Sequence, residues 1–320
     1  MGIVSVDYEH DRVYTPEQLA TANQYLIAHA RRGGLVTVTW SPLGPWMNDE
    51  LDLEGNPGDW TDTRTNAAFL SGGADLRDVI DPTTEVGKVW RRKLERIADA
   101  LAELRAAGVV VLWRPMQEMN GYWFWWGHLL QGDDSTAYQD IWRDMFRFFT
   151  YERRLDNLLW VYSPAQNRDS ADGEQAAWVK DSDWAYPGTR YVDVVAGTAY
   201  RDDLHIPNYG DYLALPEVVA MAEFSAALMG EHDRDGDLDT TLYATRLRED
   251  YPAVAYWVSW HDFPWSETED ANLSLVGNLR VEELFADPYV LTADDLARLR
   301  RGGRDDRRPR RPGGGARSGR

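Results

Sequence analysis

The chain has 320 residues, no cysteine and a formal charge of −19. Without thiols, disulfides, zinc–thiolate sites and cysteine nucleophiles are excluded together. Residues 300–320 hold nine Arg and two Asp, so residues 1–299 carry −26, a surface that repels phosphate and excludes nucleic acid as a partner of the main domain.

A hydrophobic content of 43% is enough for one large core. No apolar run reaches the ~18 residues of a membrane span, so no membrane partner is expected. Met1-Gly2-Ile3-Val4-Ser5-Val6 has no basic region, apolar stretch or cleavage site, so no secretion signal is visible. The acidic excess fits either a compositional bias of the genome or a surface adapted to high salt. Fifteen Trp and sixteen Tyr are more than packing usually demands, which suggests platforms for the apolar faces of sugars.

Along the chain, short β-branched runs alternate with amphipathic helices, the pattern of βαβ units on a parallel sheet. Ile3–Tyr8 reads as a strand. Thr15-Pro16-Glu17-Gln18 opens a helix through a capping box with proline in the first turn, and Gly33-Gly34 closes it. Leu35–Trp40 is the next strand. From about Thr84, Val86, Trp90, Leu94, Ile97, Leu101 and Leu104 recur at helical spacing. Val109–Trp113 is a buried strand, Ala137–Arg154 a helix, and Leu158–Ser163 and Tyr191–Gly197 are strands. Glu217–Glu223, a helix near Thr240–Asp250 and a strand over Val254–Trp260 complete the series. Seven strands fall one short of an α/β (β/α)8 TIM barrel, and the shortfall lies at the N-terminus, where the first barrel strand is expected to be missing. Residues 1–299 then form the barrel domain. The Arg/Gly/Pro-rich segment 300–320 reads as a disordered tail.

Chemistry concentrates in Trp113-Arg114-Pro115-Met116-Gln117-Glu118-Met119-Asn120-Gly121-Tyr122-Trp123-Phe124-Trp125-Trp126-Gly127. Glu118 falls just past the C-terminal end of a strand, where barrel enzymes carry their active groups, and an aromatic loop follows it. A second carboxylate, Glu223, ends the run Val218-Val219-Ala220-Met221-Ala222-Glu223. Two carboxyl groups flanking a glycosidic bond suffice for its hydrolysis with retention: Glu118, among aromatics, as acid/base and Glu223 as nucleophile. Asp233–Asp239 spaces carboxylates like a calcium loop. Ala244 stands where the bidentate Glu belongs, so a solvated acidic loop is expected and no metal is assigned.

RPMQEMNGYWFWWG resembles the signature of glycoside hydrolase family 26, in clan A of the barrel glycosidases, and AMAEF resembles its nucleophile strand. VTVTW, LLWVYS, YVDVVAGTAY and AYWVSW extend the likeness over most of residues 3–290. The resemblance implies hydrolysis of β-mannan by an endo-1,4-β-mannanase, with β-1,3-1,4-glucanase and β-1,3-xylanase as minority activities. A non-catalytic carbohydrate-binding barrel is the reading from another class. It further implies a β-mannan or related β-glycan partner, no cofactor, a monomer and an extracellular location. Tyr200 matches the tyrosine that bonds the nucleophile. Arg114 matches the arginine beneath the carboxylates. Trp126, Trp257 and Trp260 match walls of the sugar site, and Trp40 and Trp123 are further substrate-binding candidates. Gln117 replaces the usual His before the acid/base and is expected to hold the sugar 2-OH, while Ser41-Pro42 stand where a His usually follows the second strand. Because Ile3–Tyr8 resembles the second family strand, the chain is expected to be shortened upstream, losing one strand and a secretion signal.

Overall fold

The computed structural model describes residues 1–10, 12–46, 63–65, 71–166, 178–227, 235–264 and 270–305. Six strands, β1 (Ile3–Asp7), β2 (Leu35–Trp40), β3 (Val111–Pro115), β4 (Leu158–Tyr162), β5 (Val194–Tyr200) and β6 (Val218–Ser225), pair side by side in chain order. Every pairing is parallel, as crossover connections require. Consecutive parallel strands in this order are the wall of a (β/α)8 barrel that lacks some of its elements.

The helices are α1 (Pro16–Arg31), α2 (Glu85–Ala106), α3 (Thr136–Arg147), α4 (Tyr209–Ala214), α5 (Thr241–Glu249), α6 (Val281–Ala286) and α7 (Ala293–Asp305). At the start of α1, Thr15 Oγ1 accepts from the Gln18 N–H at 3.3 Å and Gln18 Oε1 accepts from the Thr15 N–H at 2.9 Å, the expected capping box. The apolar stripe of α2 is buried throughout, from Val86 and Trp90 to Leu101 and Leu104. The helix expected over Ala137–Arg154 ends its α-helical part at Arg147 and continues as one π-helical turn, Phe148–Glu152. Helix α7 runs to Asp305, into the segment read as tail, and residues 306–320 lie outside the described ones.

Strand alternation divides the side chains into two sets. Val36, Val38 and Trp40 of β2, Trp113 of β3, Val195 of β5 and Val219 and Met221 of β6 face the helices. Leu112, Val161, Val194, Ala196, Ala220 and Ala222 fill the inside of the sheet. Most of the tryptophan surplus belongs to the outer layer. Trp40 stacks on Trp90 and Trp113, Trp90 meets Trp125 edge-on, and Trp142 packs on Trp160. The aromatic excess is therefore mainly packing, with few rings left to face a ligand.

Glu9 lies within this layer, fully buried. It accepts from Lys93 Nζ at 2.7 Å, from Arg96, from Trp40 Nε1 at 3.2 Å and from the Leu43 N–H at 2.9 Å. Burial opposes its charge, but the two cations hold its carboxyl below the usual range. The cluster ties the residues after β1 and β2 to α2.

The seventh expected strand, Val254–Trp260, is not a regular one. Its backbone runs along β6 through Ala255 N–H to Val219 O at 2.8 Å, Met221 N–H to Tyr256 O at 3.0 Å, Val258 N–H to Met221 O at 3.0 Å and Phe224 N–H to Val258 O at 2.8 Å. Only Trp257 and Met221 complete a bridge. The ladder slips because β6 carries a bulge: Met221 pairs with Gly197 and Glu223 with Thr198, leaving Ala222 as an extra residue. Beyond it, β7 (Phe263–Pro264) and β8 (Asp270–Ala271) form a small antiparallel ribbon.

Candidate active site

The bulge decides where Glu223 points. Strict alternation from Ala220 and Ala222 would send Glu223 to the helix side and Phe224 inward. With the extra residue, Phe224 packs outward on Tyr243, and Glu223 turns into a cavity of about 1240 Å³ at the C-terminal ends of the strands. Its carboxylate is ion-paired to Arg114 Nη2 at 2.7 Å and accepts a hydrogen bond from the Tyr200 hydroxyl. Arg114, buried below the cavity floor, is held by Ser163 Oγ at 2.8 Å and Thr39 Oγ1 at 3.4 Å. Burial, then the charge of Glu223, keeps the Tyr200 hydroxyl protonated far above its ordinary range, so it remains a donor.

Glu118 reaches the same cavity from the loop after β3. Met116 and Glu118 both adopt left-handed backbone, at φ 48° and 57°. Such residues persist when neighbours over-determine them. Here the Met116 N–H binds Trp40 O at 2.9 Å, and its carbonyl accepts from the Tyr138 hydroxyl at 3.0 Å. The Gln117 carbonyl accepts from Trp126 Nε1 at 2.7 Å, and the Glu118 N–H binds Ser163 O at 2.7 Å. Thr198 Oγ1 donates to Glu118 Oε1 at 2.6 Å and Trp123 Nε1 to Oε2 at 2.9 Å. Thr198 is also the register partner of Glu223, so one residue of β5 brings the two carboxyl groups together. Burial and then the neighbouring charge of Glu223 push the Glu118 carboxyl up to about 7. One site thus holds a carboxyl group that is protonated near neutrality beside a carboxylate paired with an arginine.

Of the other residues singled out in the sequence, Gln117, Trp123, Tyr200 and Trp260 line the cavity. Three tryptophans do not. Trp40 belongs to the outward set of β2 and donates to Glu9, so the inward residue at that strand end is Ser41. Trp126 is fully buried, stacked on Phe124 at 4.4 Å, and acts beneath the site through the Gln117 carbonyl. Trp257 stacks on Tyr243 on the helix side, whereas Tyr256 faces inward. Thr198 and Asp7 went unnoticed in the sequence. The signal for Thr198 was its two-residue spacing from Tyr200; Asp7 gave none. Of the supposed calcium loop, Asp233 and Arg234 lie outside the described residues. Asp239, just before α5, accepts the Thr241 N–H at 3.0 Å and pairs with Arg280 at 2.8 Å.

A parallel barrel wall with two facing glutamates in a cleft at its C-terminal rim defines a protein of the barrel glycosidase class. The sequence profile of glycosyl hydrolase family 26 matches residues 3–295, and the chain belongs to that family. It is similar to the mannan endo-1,4-beta-mannosidase A and B of Caldalkalibacillus mannanilyticus, 31% identical over 92% of this chain and 52% of that protein. A mannan endo-1,4-beta-mannosidase of Bacillus subtilis is 34% identical over 72% of this chain and 60% of its own length. The chain therefore spans between half and two thirds of these curated relatives. Among solved structures, a Bacillus subtilis mannanase superposes with a TM-score of 0.70 at 26% identity, covering 91% of this chain and 77% of that one.

Proposed function

We propose that the chain is a retaining glycoside hydrolase that cleaves β-1,4-mannan within the polymer, with Glu118 as acid/base and Glu223 as nucleophile. The observation that carries this reading is the pairing of unlike carboxyl groups. Glu118 is kept protonated to about 7 by burial and by the charge of Glu223, and Glu223 is clamped by Arg114 and Tyr200. In the first step Glu118 gives its proton to the glycosidic oxygen while Glu223 attacks the anomeric carbon, forming a glycosyl ester. Esterification removes the charge of Glu223, so one of the two causes that raise Glu118 disappears and its acidity increases. Glu118 is then suited to take a proton from the water that releases the sugar.

The names of the relatives favour β-mannan as substrate. A polymeric substrate favours an extracellular site of action, and among the described residues no helix is long and apolar enough to cross a membrane. Reducing-sugar release from galactomannan, lichenan and β-1,3-xylan compared side by side tests the substrate, and preference for either of the last two overturns it. For the roles, Glu223→Ala should be inert except with azide, giving a glycosyl azide of inverted configuration. Glu118→Ala should spare substrates with good leaving groups. Equal damage to natural and activated substrates in both variants would refute the assignment.

A further inference from the structure

Trp123 lines the cavity and bonds Glu118 Oε2, while Glu118 Oε1 is turned to Thr198, the register partner of Glu223. Trp123 therefore stands on the side of the acid/base away from the nucleophile. Glu118 gives its proton to the departing oxygen, so this is the side on which the leaving sugar lies. Two further rings continue from Trp123 out of the cavity. Tyr122 meets Trp123 edge-on at 5.4 Å, and Trp178 meets Tyr122 edge-on at 5.2 Å. Neither belongs to the core: Tyr122 is 38% and Trp178 43% exposed, and no other tryptophan among the described residues is exposed.

The two rings come from different loops, Tyr122 after β3 and Trp178 after β4, and buried groups lock those loops together. Asn120 is fully buried; its amide donates to Lys180 O at 2.9 Å and accepts the Ala165 N–H at 2.7 Å, and its backbone carbonyl accepts the Lys180 N–H at 2.9 Å. His128 Nε2 donates to the Trp178 carbonyl at 2.9 Å. A Cβ at Gly121 would lie 2.5 Å from the Trp123 indole, so the glycine lets that ring rest against its own loop. Exposed rings held this way offer contact area with little left to order on binding. We infer that Tyr122 and Trp178 form a stacking platform for the second sugar beyond the cleaved bond, on the leaving-group side, so that the chain grips the polymer past the point of cutting. The inference rests on the hydrolase reading above and deepens it. The ligand is the uncharged β-1,4-linked chain, whose sugar rings present apolar faces to aromatic ones. Ring-to-ring steps of 5.4 and 5.2 Å are close to the advance of such a chain per sugar. A chain whose first leaving sugar meets Trp123 therefore carries its next one over Tyr122 and Trp178.

The test compares mannohexaose, which extends over the platform, with an aryl β-mannobioside, whose aryl group is the whole leaving group. Trp178→Ala and Tyr122→Ala should each lower the ratio of kcat/KM on the first to that on the second roughly 10-fold, the worth of about one stacking contact, and Trp178→Phe should keep most of it. A transfer assay identifies the side. With the aryl mannobioside as donor and mannotriose as acceptor, an acceptor hydroxyl replaces water in attacking the anomeric carbon of the glycosyl ester; its proton passes to Glu118 and the Glu223 carboxylate is released. The acceptor must bind where the leaving sugar lay, so both alanine variants should form less transfer product relative to hydrolysis. An unchanged ratio, equal losses on both substrates, or a lowered ratio with transfer intact would overturn the inference while leaving Glu118 and Glu223 in place. Variants altered only in self-association, read by sedimentation, would make the patch a contact between copies and overturn it too. Wild-type protein inert on both substrates and on mannan would instead overturn the hydrolase reading, and this inference with it.

Discussion

Glu118→Gln offers a test of the site that needs no substrate. A carboxyl with its pKa raised from 4.5 to about 7 is protonated in the folded chain and ionised in the unfolded one across that interval. The folded state then binds more protons, so stability is fully present below about 4.5 and declines as pH rises through 7. At 1.36 kcal/mol per pH unit, the accumulated loss above pH 7 is about 3 kcal/mol. Glutamine cannot ionise, so Glu118→Gln escapes this loss. The amide keeps both partners by accepting from Trp123 Nε1–H and donating to Thr198 Oγ1, as the protonated carboxyl does. The variant should therefore be about as stable as the parent at pH 4.5 and more stable, by about 3 kcal/mol, at pH 8. Urea denaturation of both proteins at the two pH values measures the difference. A stability difference that does not change with pH would mean that Glu118 titrates normally, and the acid assignment would lose its physical basis. The same proton predicts that kcat/KM on mannan falls as pH rises through about 7.

Deleting Ala222 should remove the bulge while regular alternation keeps Glu223, now directly after Met221, on the inner face; circular dichroism should report a folded barrel with hydrolysis retained at least in part, and a folded but wholly inert variant would refute Ala222 as the extra residue. Lys93→Met leaves Glu9 with a single cation inside the core and should cost ~3–5 kcal/mol of unfolding free energy, so a loss under ~1 kcal/mol would contradict the cluster's importance. Trp260→Ala should raise KM roughly 10-fold, the worth of about one aromatic stacking contact, while Trp257→Ala should lower Tm and leave KM unchanged. With −26 on residues 1–299, Tm should climb by several degrees between ~0.1 M and ~1 M NaCl, as the screening length falls from about 10 to about 3 Å. A flat response would favour genome composition as the source of the acidity.

Period and punctuation made much of this fold readable from residues alone. The capping box at Thr15 and Gln18, the buried stripe of α2 and the apolar runs of β1 to β6 are local signals, because they depend on neighbours three or four positions apart or on alternate residues. Glu118 was readable too, since Pro115 and an aromatic loop mark a strand end. Only the tertiary structure decided which of two alternating sets faces the cavity. Trp257 lies one position from inward Tyr256, both aromatic, and in β2 the alternation of Val36, Val38 and Trp40 with Thr37 and Thr39 separates two sets without saying which of them faces the cavity. The bulge at Ala222 was equally invisible, because an extra residue in one strand exists only relative to the register of its partners. A hydrogen-bond chain in which Gln117 Nε2 donates to Ser41 Oγ at 2.8 Å and Ser41 Oγ donates to Asp7 Oδ2 at 2.7 Å joins residues from three segments of the sequence. Its direction follows from which proton each atom holds once parallel pairing of β1, β2 and β3 brings their ends together.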